Sequence, residues 1–197
     1  MKRQRLIVGI SGASGIIYGV RLLQLLKATE IETHLIISRA GDMTRAHELD
    51  MTGEALRQLA DVHYPINDVG AALSSGSYQT MGMVIAPCST RTLAEIASGV
   101  TSTLLTRAAD VVLKERRRLV LLLRETPYTS IHIKNMQLAT DAGAIIYPPV
   151  PAFYALPRSL DDIVSNTMCR VLDLFGVDTG QLKRWGDDLS LGDEAEK

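Results

Sequence analysis

The stretch from Leu6 to Gly19 constrains the fold of this chain more than any other feature. Residues 6–10 form a short apolar run rich in β-branched side chains, which is typical of a buried strand in a parallel sheet. The run leads into a turn of small residues at 11–15, and from Ile16 onward apolar residues recur at helical spacing. A strand, a glycine-rich turn and a helix form the first half of a βαβ unit, so the sequence predicts a parallel α/β sheet.

The turn itself predicts an anion site. Its small side chains leave the backbone N–H groups at the start of the helix uncovered, and such a helix terminus attracts a phosphate. The run Gly12-Ala13-Ser14-Gly15 matches neither the dinucleotide pattern G-x-G-x-x-G nor a P-loop that ends in G-K-[ST]. The turn therefore favours a mononucleotide or flavin phosphate over a dinucleotide or ATP. The alternative is a turn whose small residues only let the helix pack closely.

Strands and helices are expected to alternate along the whole chain. Further strands are predicted at 32–38, 83–86, 119–123 and 144–147, the third of them stopped by Pro87. Helices are predicted at 39–48, 52–59, 93–97, 104–117 and 130–142, with Ser130 as the cap of the last of these, and a final helix begins after Ser159. The alternation indicates one domain over 1–197 with a three-layer α/β/α fold, flavodoxin-like or Rossmann-like, around a parallel central sheet.

Two segments lack this regularity. The stretch 62–79 has no clear periodicity, and its run Ser74–Ser77 is expected to be a mobile loop, either a lid or a simple connection. The polar tail from about residue 187 is expected to be disordered.

Polar side chains follow several predicted strands at their carboxyl ends, where ligands bind in open α/β sheets. Ser38 ends the second strand, residues 89–92 follow the third, and Arg124 and Glu125 follow the apolar fourth strand. Two charges at the end of a central strand are costly unless they form an ion pair or bind a ligand. The hydroxyls could act only as helix caps, and the two charges only as an internal ion pair. Their convergence on one edge favours a shared ligand crevice.

Charge and cysteine content exclude several classes of protein. The 21 Lys and Arg residues nearly balance the 22 Asp and Glu residues, so nothing indicates general attraction to nucleic acid or a membrane. No apolar run is long enough to span a bilayer or to act as a signal peptide. Two distant cysteines and four histidines show no metal-ligand spacing. We expect a cytoplasmic protein without a metal site.

Five motifs then stand in order along the chain: Gly12–Gly15, Pro87–Thr90, Arg107–Arg117, Arg124–Pro127 and Pro149–Tyr154. Together they resemble the UbiX/Pad flavin prenyltransferases, once described as aromatic-acid or phenylacrylic acid decarboxylases, over about 6–185. The resemblance implies FMN as the cofactor and a dimethylallyl group transferred to reduced FMN from dimethylallyl phosphate. It also implies a homo-oligomer, a dodecamer, no metal, and a UbiD-type decarboxylase as recipient of the prenylated FMN.

The resemblance also implies roles for single residues. FMN is expected to contact Gly12, Ala13, Ser14, Ser38, Ser89, Thr90, Arg91, Thr92 and Arg124. The donor is expected to contact Tyr154, Arg170 and Lys114, with Arg107 nearby. Glu125, Glu48 and Ser14 are the expected catalytic residues. The chain departs from the family at Arg118, where many relatives have proline, and over 63–77 it matches the family poorly beyond Ser75–Ser77.

The chemistry of allyl transfer agrees with these residue types. The reaction expels a phosphate, and converging cations such as Lys114, Arg124 and Arg170 would stabilise it, while a nearby acid would help it leave. Two alternatives stay open. One is an FMN-dependent decarboxylase of aromatic or phenylacrylic acids or of a peptidyl cysteine, and the other is a non-catalytic flavin-binding partner. The three cations favour prenyl transfer, because a carboxylate substrate does not need them.

Overall fold

The computed structural model describes residues 3–182 and 184–186, which divide into two compact units, the first ending at Pro149 and the second beginning at Val150. The expected disorder of the tail from residue 187 lies outside the described residues. Within them, the first unit contains the strands β1 (Arg5–Ile10), β2 (Glu32–Ile37), β3 (Val62–Tyr64), β4 (Gly82–Cys88), β5 (Arg118–Leu123) and β6 (Ala144–Ile146). Its helices are α1 (Ile16–Leu26), α2 (Arg39–Glu48), α3 (Gly53–Arg57), α4 (Thr90–Ala97), α5 (Leu104–Lys114) and α6 (Ser130–Asp141).

The six strands form one parallel sheet in the order β3-β2-β1-β4-β5-β6. This confirms the predicted three-layer α/β fold with a parallel central sheet. The strand order reverses between β1 and β4, and a crevice for ligands opens at the carboxyl ends of the strands at such a point. The turn at 11–15 follows β1, so it lies at this crevice.

Two glycines allow the helical layers to lie close to the sheet. A Cβ at Gly9 would stand 2.6 Å from the Leu105 side chain of α5. A Cβ at Gly19 of α1 would stand 2.5 Å from the Ala86 carbonyl oxygen. A side chain at either glycine would push the facing helix or strand outward. Strands β4 and β5, which lie between the helical layers, are almost entirely buried. The two glycines therefore set how closely α5 and α1 approach the sheet.

The structure changes three predicted boundaries. Strand β3 was not predicted, because three residues that are partly or fully exposed are too few to show a period of two. Pro87 does not end β4, which continues to Cys88 with a register shift after Ile85. Thr129, not Ser130, caps α6, since the Thr129 hydroxyl accepts a hydrogen bond from the His132 N–H group.

The second unit contains a 3₁₀ turn at Phe153–Ala155 and α7 (Leu160–Asp173). Helix α7 begins as predicted, because the Ser159 hydroxyl accepts from the Asp162 N–H group and the Asp162 carboxylate accepts from Ser159. In the part of the chain that the structure describes, no helix has the length and hydropathy needed to cross a membrane.

Candidate active site

Four of the segments predicted to bind the cofactor lie at one edge of the sheet. The small-residue turn follows β1, Ser38 follows β2, Ser89 follows β4 and Arg124 follows β5. These strands are consecutive in the sheet as β2-β1-β4-β5. The parallel topology therefore brings the four segments together, as expected from the carboxyl-end rule.

Hydrogen bonds join three of these segments directly. The Ser11 hydroxyl donates to the Pro87 carbonyl oxygen at 3.1 Å and accepts from the Ser89 N–H group at 2.8 Å. The Ser38 N–H group donates to the Ile10 carbonyl oxygen at 2.9 Å. Ser11 was not predicted as a site residue. The signal that could have identified it is a hydroxyl side chain at the point where β1 ends and the small-residue turn begins.

The N-terminus of α1 already holds an anion, and that anion is the carboxylate of Glu48. Its oxygens accept from the Gly15 N–H group at 2.9 Å and from the Ile16 N–H group at 3.0 Å. The Ser14 side chain also forms a hydrogen bond with it. Glu48 is the last residue of α2, more than 30 residues away in sequence, so no local pattern predicted this contact. The N–H groups expected to face a phosphate are occupied by a side chain of the same protein.

The surroundings of Glu48 keep its side chain ionised at neutral pH. Partial burial would raise its pKa, but the hydrogen bonds from Ser14, Ile16 and Gly15 and the positive charge of Arg124 outweigh burial and lower the pKa. Glu48 is therefore a hydrogen-bond acceptor rather than a proton donor in this arrangement. The influence of Arg124 on Glu48 also links the end of β5 to the start of α1.

The hydroxyls at the ends of β2 and β4 act as helix caps. Ser38 accepts from the Gly41 N–H group at 3.0 Å, and Ser89 accepts from the Thr92 N–H group at 3.2 Å. Ser89 also donates to the buried Thr92 hydroxyl. Both serines therefore cap helices, while any additional contact with FMN stays a prediction.

The start of α4 differs from the start of α1 because its first N–H groups are open. Across the described residues, the N–H groups of Thr90 and Arg91 have no hydrogen-bond partner in the protein. The Arg91 side chain is 83% exposed and pairs with Glu95 at 2.9 Å. A helix N-terminus with free donors and a nearby guanidinium suits an anion.

Arg124 and Glu125 do not form an ion pair with each other. The Arg124 N–H group continues the sheet by donating to the Cys88 carbonyl oxygen at 3.1 Å, and its side chain is exposed. A Glu125 carboxylate oxygen accepts from the Thr126 N–H group at 2.9 Å. Within the described part of the chain, neither side chain has an oppositely charged group within 4.0 Å, so the internal ion pair considered from the sequence is wrong.

Lys114 lies at the opposite edge of the sheet from the cofactor turns. It ends α5, four residues before β5 begins at Arg118, which pairs with the first residue of β4. The length of a six-residue strand, about 20 Å, separates this amino edge from Arg124 at the carboxyl edge. The Lys114 ammonium group pairs with Glu115 at 2.5 Å. Within one chain, the expected convergence of Lys114 and Arg124 does not occur.

Arg107 is bound to the segment that was expected to be mobile. Its guanidinium donates to Asp110 at 2.8 Å and to the Ser74 carbonyl oxygen at 3.2 Å. Arg117 donates to the carbonyl oxygens of Gly76 at 2.6 Å and Tyr78 at 2.8 Å. Two arginines therefore hold the backbone of this segment against α5 and the residues after it, while the mobility of the loop stays a prediction.

In the second unit, Tyr154 and Arg170 each have a partner that the sequence did not indicate. The Tyr154 ring packs edge-on against Trp185, with centroids 5.7 Å apart. Arg170 donates to Asp173 at 2.7 Å, and Arg184 donates to the same carboxylate at 2.6 Å. The hydrogen bond from Arg184, followed by the charges of both arginines, lowers the pKa of Asp173 despite slight burial. Asp173 therefore stays ionised and holds the Arg170 guanidinium.

The described residues offer no other reactive cluster. They include no group of three or more histidine, cysteine, aspartate or glutamate side chains that could hold a metal. Cys88 ends β4 beside the turns, but complete burial raises its pKa to about 12, so its thiol is not a nucleophile at neutral pH.

Comparisons with known proteins cover nearly the whole chain. Residues 1–172 match the protein family described as Flavoprotein. The flavin prenyltransferase UbiX of Escherichia coli strain K12 is 57% identical over 175 residues, which are 88% of this chain and 93% of the relative.

Two crystal structures resemble the fold closely. That of AnUbiX (PadA1) in complex with FMN and dimethylallyl pyrophosphate superposes with a TM-score of 0.92 at 47% identity, covering 93% of this chain and 98% of that chain. The dodecameric FMN-dependent UbiX-like decarboxylase from Escherichia coli O157:H7 superposes with a TM-score of 0.90 at 44% identity, covering 92% of this chain and 99% of that chain. The similarity therefore extends over more than nine-tenths of this chain.

Proposed function

Since this chain belongs to the UbiX family of flavin prenyltransferases, we propose that it joins a dimethylallyl group from a phosphorylated donor to reduced FMN. The observation that carries the proposal is the arrangement of the turns after β1, β2 and β4 and of Arg124 after β5 at one edge of the sheet. A shared crevice at the carboxyl ends of neighbouring parallel strands is where a mononucleotide binds in this architecture.

The residues present fit FMN, with its phosphate at α4 rather than α1. A phosphate at α1 would have to displace the Glu48 carboxylate from the N–H groups of Gly15 and Ile16. At α4, the N–H groups of Thr90 and Arg91 are open, and Arg91 supplies a positive charge. We therefore assign the cofactor phosphate to residues 89–92 and another part of FMN to Gly12–Ser14.

Bound FMN supplies the ring that the allyl group joins, and the protein supplies the charges around the leaving phosphate. Arg124 stands at the crevice, and its charge acts on Glu48. Arg170, which Asp173 holds, and Tyr154 belong to the second unit, and their assignment to the donor rests on the family resemblance. Guanidinium groups around a departing phosphate stabilise the charge that develops on it.

The two glutamates take different roles in this proposal. Glu48 is ionised and accepts hydrogen bonds from Ser14 and the turn, so it orients Ser14 and does not act as a proton donor. Glu125 follows β5 next to Arg124, and its only described hydrogen bond comes from the neighbouring Thr126 N–H group. We assign to Glu125 the transfer of a proton at the leaving phosphate oxygen.

Lys114 reaches such a site only from another copy of the chain. It lies at the amino edge of its own sheet, a strand length away from Arg124. We infer that the protein is a homo-oligomer, as the dodecameric relative is, and that Lys114 of one copy joins the site of a neighbour. The distance within one chain supports this arrangement.

We further propose that the donor is dimethylallyl phosphate and that a UbiD-type decarboxylase receives the prenylated FMN. Both assignments extend the family resemblance. Free, buried Cys88 and Cys169 accord with the reducing cytoplasm expected from the sequence.

Two of the similar structures are described as decarboxylases, one of them of phenylacrylic acid, which keeps decarboxylation of aromatic or phenylacrylic acids as the second candidate. The two functions differ in products. With reduced FMN and dimethylallyl phosphate, a prenyltransferase releases inorganic phosphate, and the release requires both compounds. With a phenylacrylic acid and FMN alone, a decarboxylase releases carbon dioxide. We expect phosphate release without carbon dioxide, and the opposite result would replace the proposal by the second candidate.

A further inference from the structure

Ser11 occupies the junction between the turns that we assign to FMN. Its side chain is 1% exposed. The hydroxyl donates to the Pro87 carbonyl oxygen at 3.1 Å and accepts from the Ser89 N–H group at 2.8 Å, while the Ser11 N–H group donates to Pro87 at 3.1 Å. Three hydrogen bonds therefore connect the end of β1 to the end of β4.

The bond to Ser89 reaches the residue that caps α4. Ser89 accepts from the Thr92 N–H group and donates to the Thr92 hydroxyl, so the position of Ser89 determines where the first turn of α4 begins. The open N–H groups of Thr90 and Arg91 follow directly. The direction of these two N–H groups therefore depends on the hydrogen bond between the Ser11 hydroxyl and the Ser89 N–H group.

Gly12, the residue after Ser11, packs against the turn that follows β2. A Cβ at Gly12 would collide with the Ala40 side chain in the first turn of α2, so residues 11 and 12 lie between α2 and α4. A displacement at residue 11 would therefore change the spacing of all three turns.

We propose that Ser11 is a positioning residue for FMN: its hydroxyl sets the distance and direction between the Gly12–Ser14 turn and the N-terminus of α4. The inference rests on the proposed placement of FMN across these two turns. Serine suits the task because one hydroxyl both donates and accepts, whereas alanine does neither and a thiol does both weakly. Loss of the hydroxyl also leaves the Ser89 N–H group without its acceptor.

The test compares Ser11→Ala with a matched control at the other edge of the sheet. Thr33 is 3% exposed, and its hydroxyl also donates once, to Asp61 at 2.9 Å, and accepts once, from the Asp61 N–H group at 2.9 Å. Thr33 pairs with Leu6 near the beginning of β1, far from the turns. Thr33→Val therefore removes an equivalent pair of hydrogen bonds without touching the proposed site.

FMN affinity is measured by quenching of flavin fluorescence, and the unfolding midpoint is measured for each variant. We expect both variants to unfold at lower temperature, Ser11→Ala to raise the Kd for FMN at least about tenfold, and Thr33→Val to keep it within about twofold, as expected if each bond is worth roughly 1–1.5 kcal/mol. If Ser11→Ala retains wild-type affinity, Ser11 is only structural and the proposal is overturned.

A second variant distinguishes a folding defect from a loss of affinity, and the wild type distinguishes failure of the Ser11 proposal from failure of the proposed function. If Ser11→Ala does not accumulate as folded protein, Ser11→Cys carries the test, with an expected Kd above that of wild type and an unchanged Kd overturning the proposal. Failure of the wild-type protein to bind FMN would instead contradict the proposed function. Wild-type binding with no change in either Ser11 variant contradicts only the role of Ser11.

Discussion

At the scale of single residues, the chain places one carboxylate where a phosphate was expected. Glu48 holds the N–H groups of Gly15 and Ile16, and the same turn had predicted an anion site from its small side chains alone. The turn attracts negative charge, as helix termini do, but the anion there is a side chain of the protein instead of the predicted phosphate. The sequence did not identify the anion, since the contact crosses 33 residues of sequence.

The lowered pKa of Glu48 predicts a pH-dependent contribution to stability. A carboxyl group whose pKa is lower in the folded state stabilises the fold above its unfolded value, about 4.3, and the stabilisation is lost as the pH falls through the folded value. Glu48→Gln should therefore unfold at a lower temperature than wild type at pH 7, with a difference that shrinks toward pH 3. Glu48 is exposed, so the contribution is below about 1 kcal/mol.

Thermal unfolding followed by circular dichroism across this range measures the effect. Glu54→Gln is the control, because Glu54 makes only surface contacts, with Arg57 at 3.7 Å and with Gln58 at 3.2 Å. A difference between Glu48→Gln and wild type that does not change with pH would contradict the role of the ionised carboxylate.

Glu125 provides the second test at this scale. Glu125→Gln keeps the size of the side chain and a hydrogen-bonding oxygen but cannot exchange a proton. We expect FMN and donor affinities close to wild type and turnover slower by about a hundredfold, the usual effect of losing a general acid. Steady-state kinetics separate the two effects. Near-normal turnover with a raised KM for the donor would mean that Glu125 orients a ligand and transfers no proton.

At the scale of elements, local patterns predicted the sheet and most helices but not the connections. Helix α2 has the predicted bounds, and α1 begins at the predicted residue. The loop between β3 and β4 was expected to be mobile because its residues are small and polar. Arg107 and Arg117, about 30 to 40 residues later, hydrogen-bond to its backbone, and no local composition indicates such a contact.

Arg117 supplies a prediction for this loop. Its side chain is only 13% exposed and donates to the carbonyl oxygens of Gly76 and Tyr78. Arg117→Ala should therefore raise amide hydrogen exchange over 74–80 by tenfold or more, since bonds from a charged donor are worth about 1.5–3 kcal/mol. Arg57→Ala, on α3, should leave the loop unchanged. Exchange over 74–80 that stays at the wild-type rate would mean that other contacts hold the loop.

At the scale of the whole molecule, the parallel sheet gathers the segments that we assign to FMN and separates Lys114 from them. This separation could have been predicted from the sequence, because the last residue of a helix that comes just before a strand lies at the amino edge of the sheet. The motif resemblance had instead suggested convergence of Lys114 with Arg124. A site formed by Lys114 of one copy and Arg124 of another would bring the two residues together, as the resemblance implies, although the topology separates them within one chain.

Mixed oligomers test this arrangement. Lys114→Ala and Arg124→Ala copies should each be inactive, and oligomers reassembled from both should regain part of the activity, because some sites then pair two unaltered residues. The control mixes Lys114→Ala with the double variant, in which no site pairs an intact Lys114 with an intact Arg124 of a neighbour. Mixed oligomers verified by native mass spectrometry that show no more activity than this control would place the whole site in one chain.

The central claim is prenyl transfer to FMN, and the mass of the flavin tests it most directly. The protein is incubated without oxygen with reduced FMN and dimethylallyl phosphate, and the flavin is released and analysed by mass spectrometry. We predict a flavin heavier by one dimethylallyl group in place of a hydrogen, absent when the donor or the protein is left out. A flavin of unchanged mass after full reduction and saturation with dimethylallyl phosphate, and equally with dimethylallyl pyrophosphate, would contradict the account.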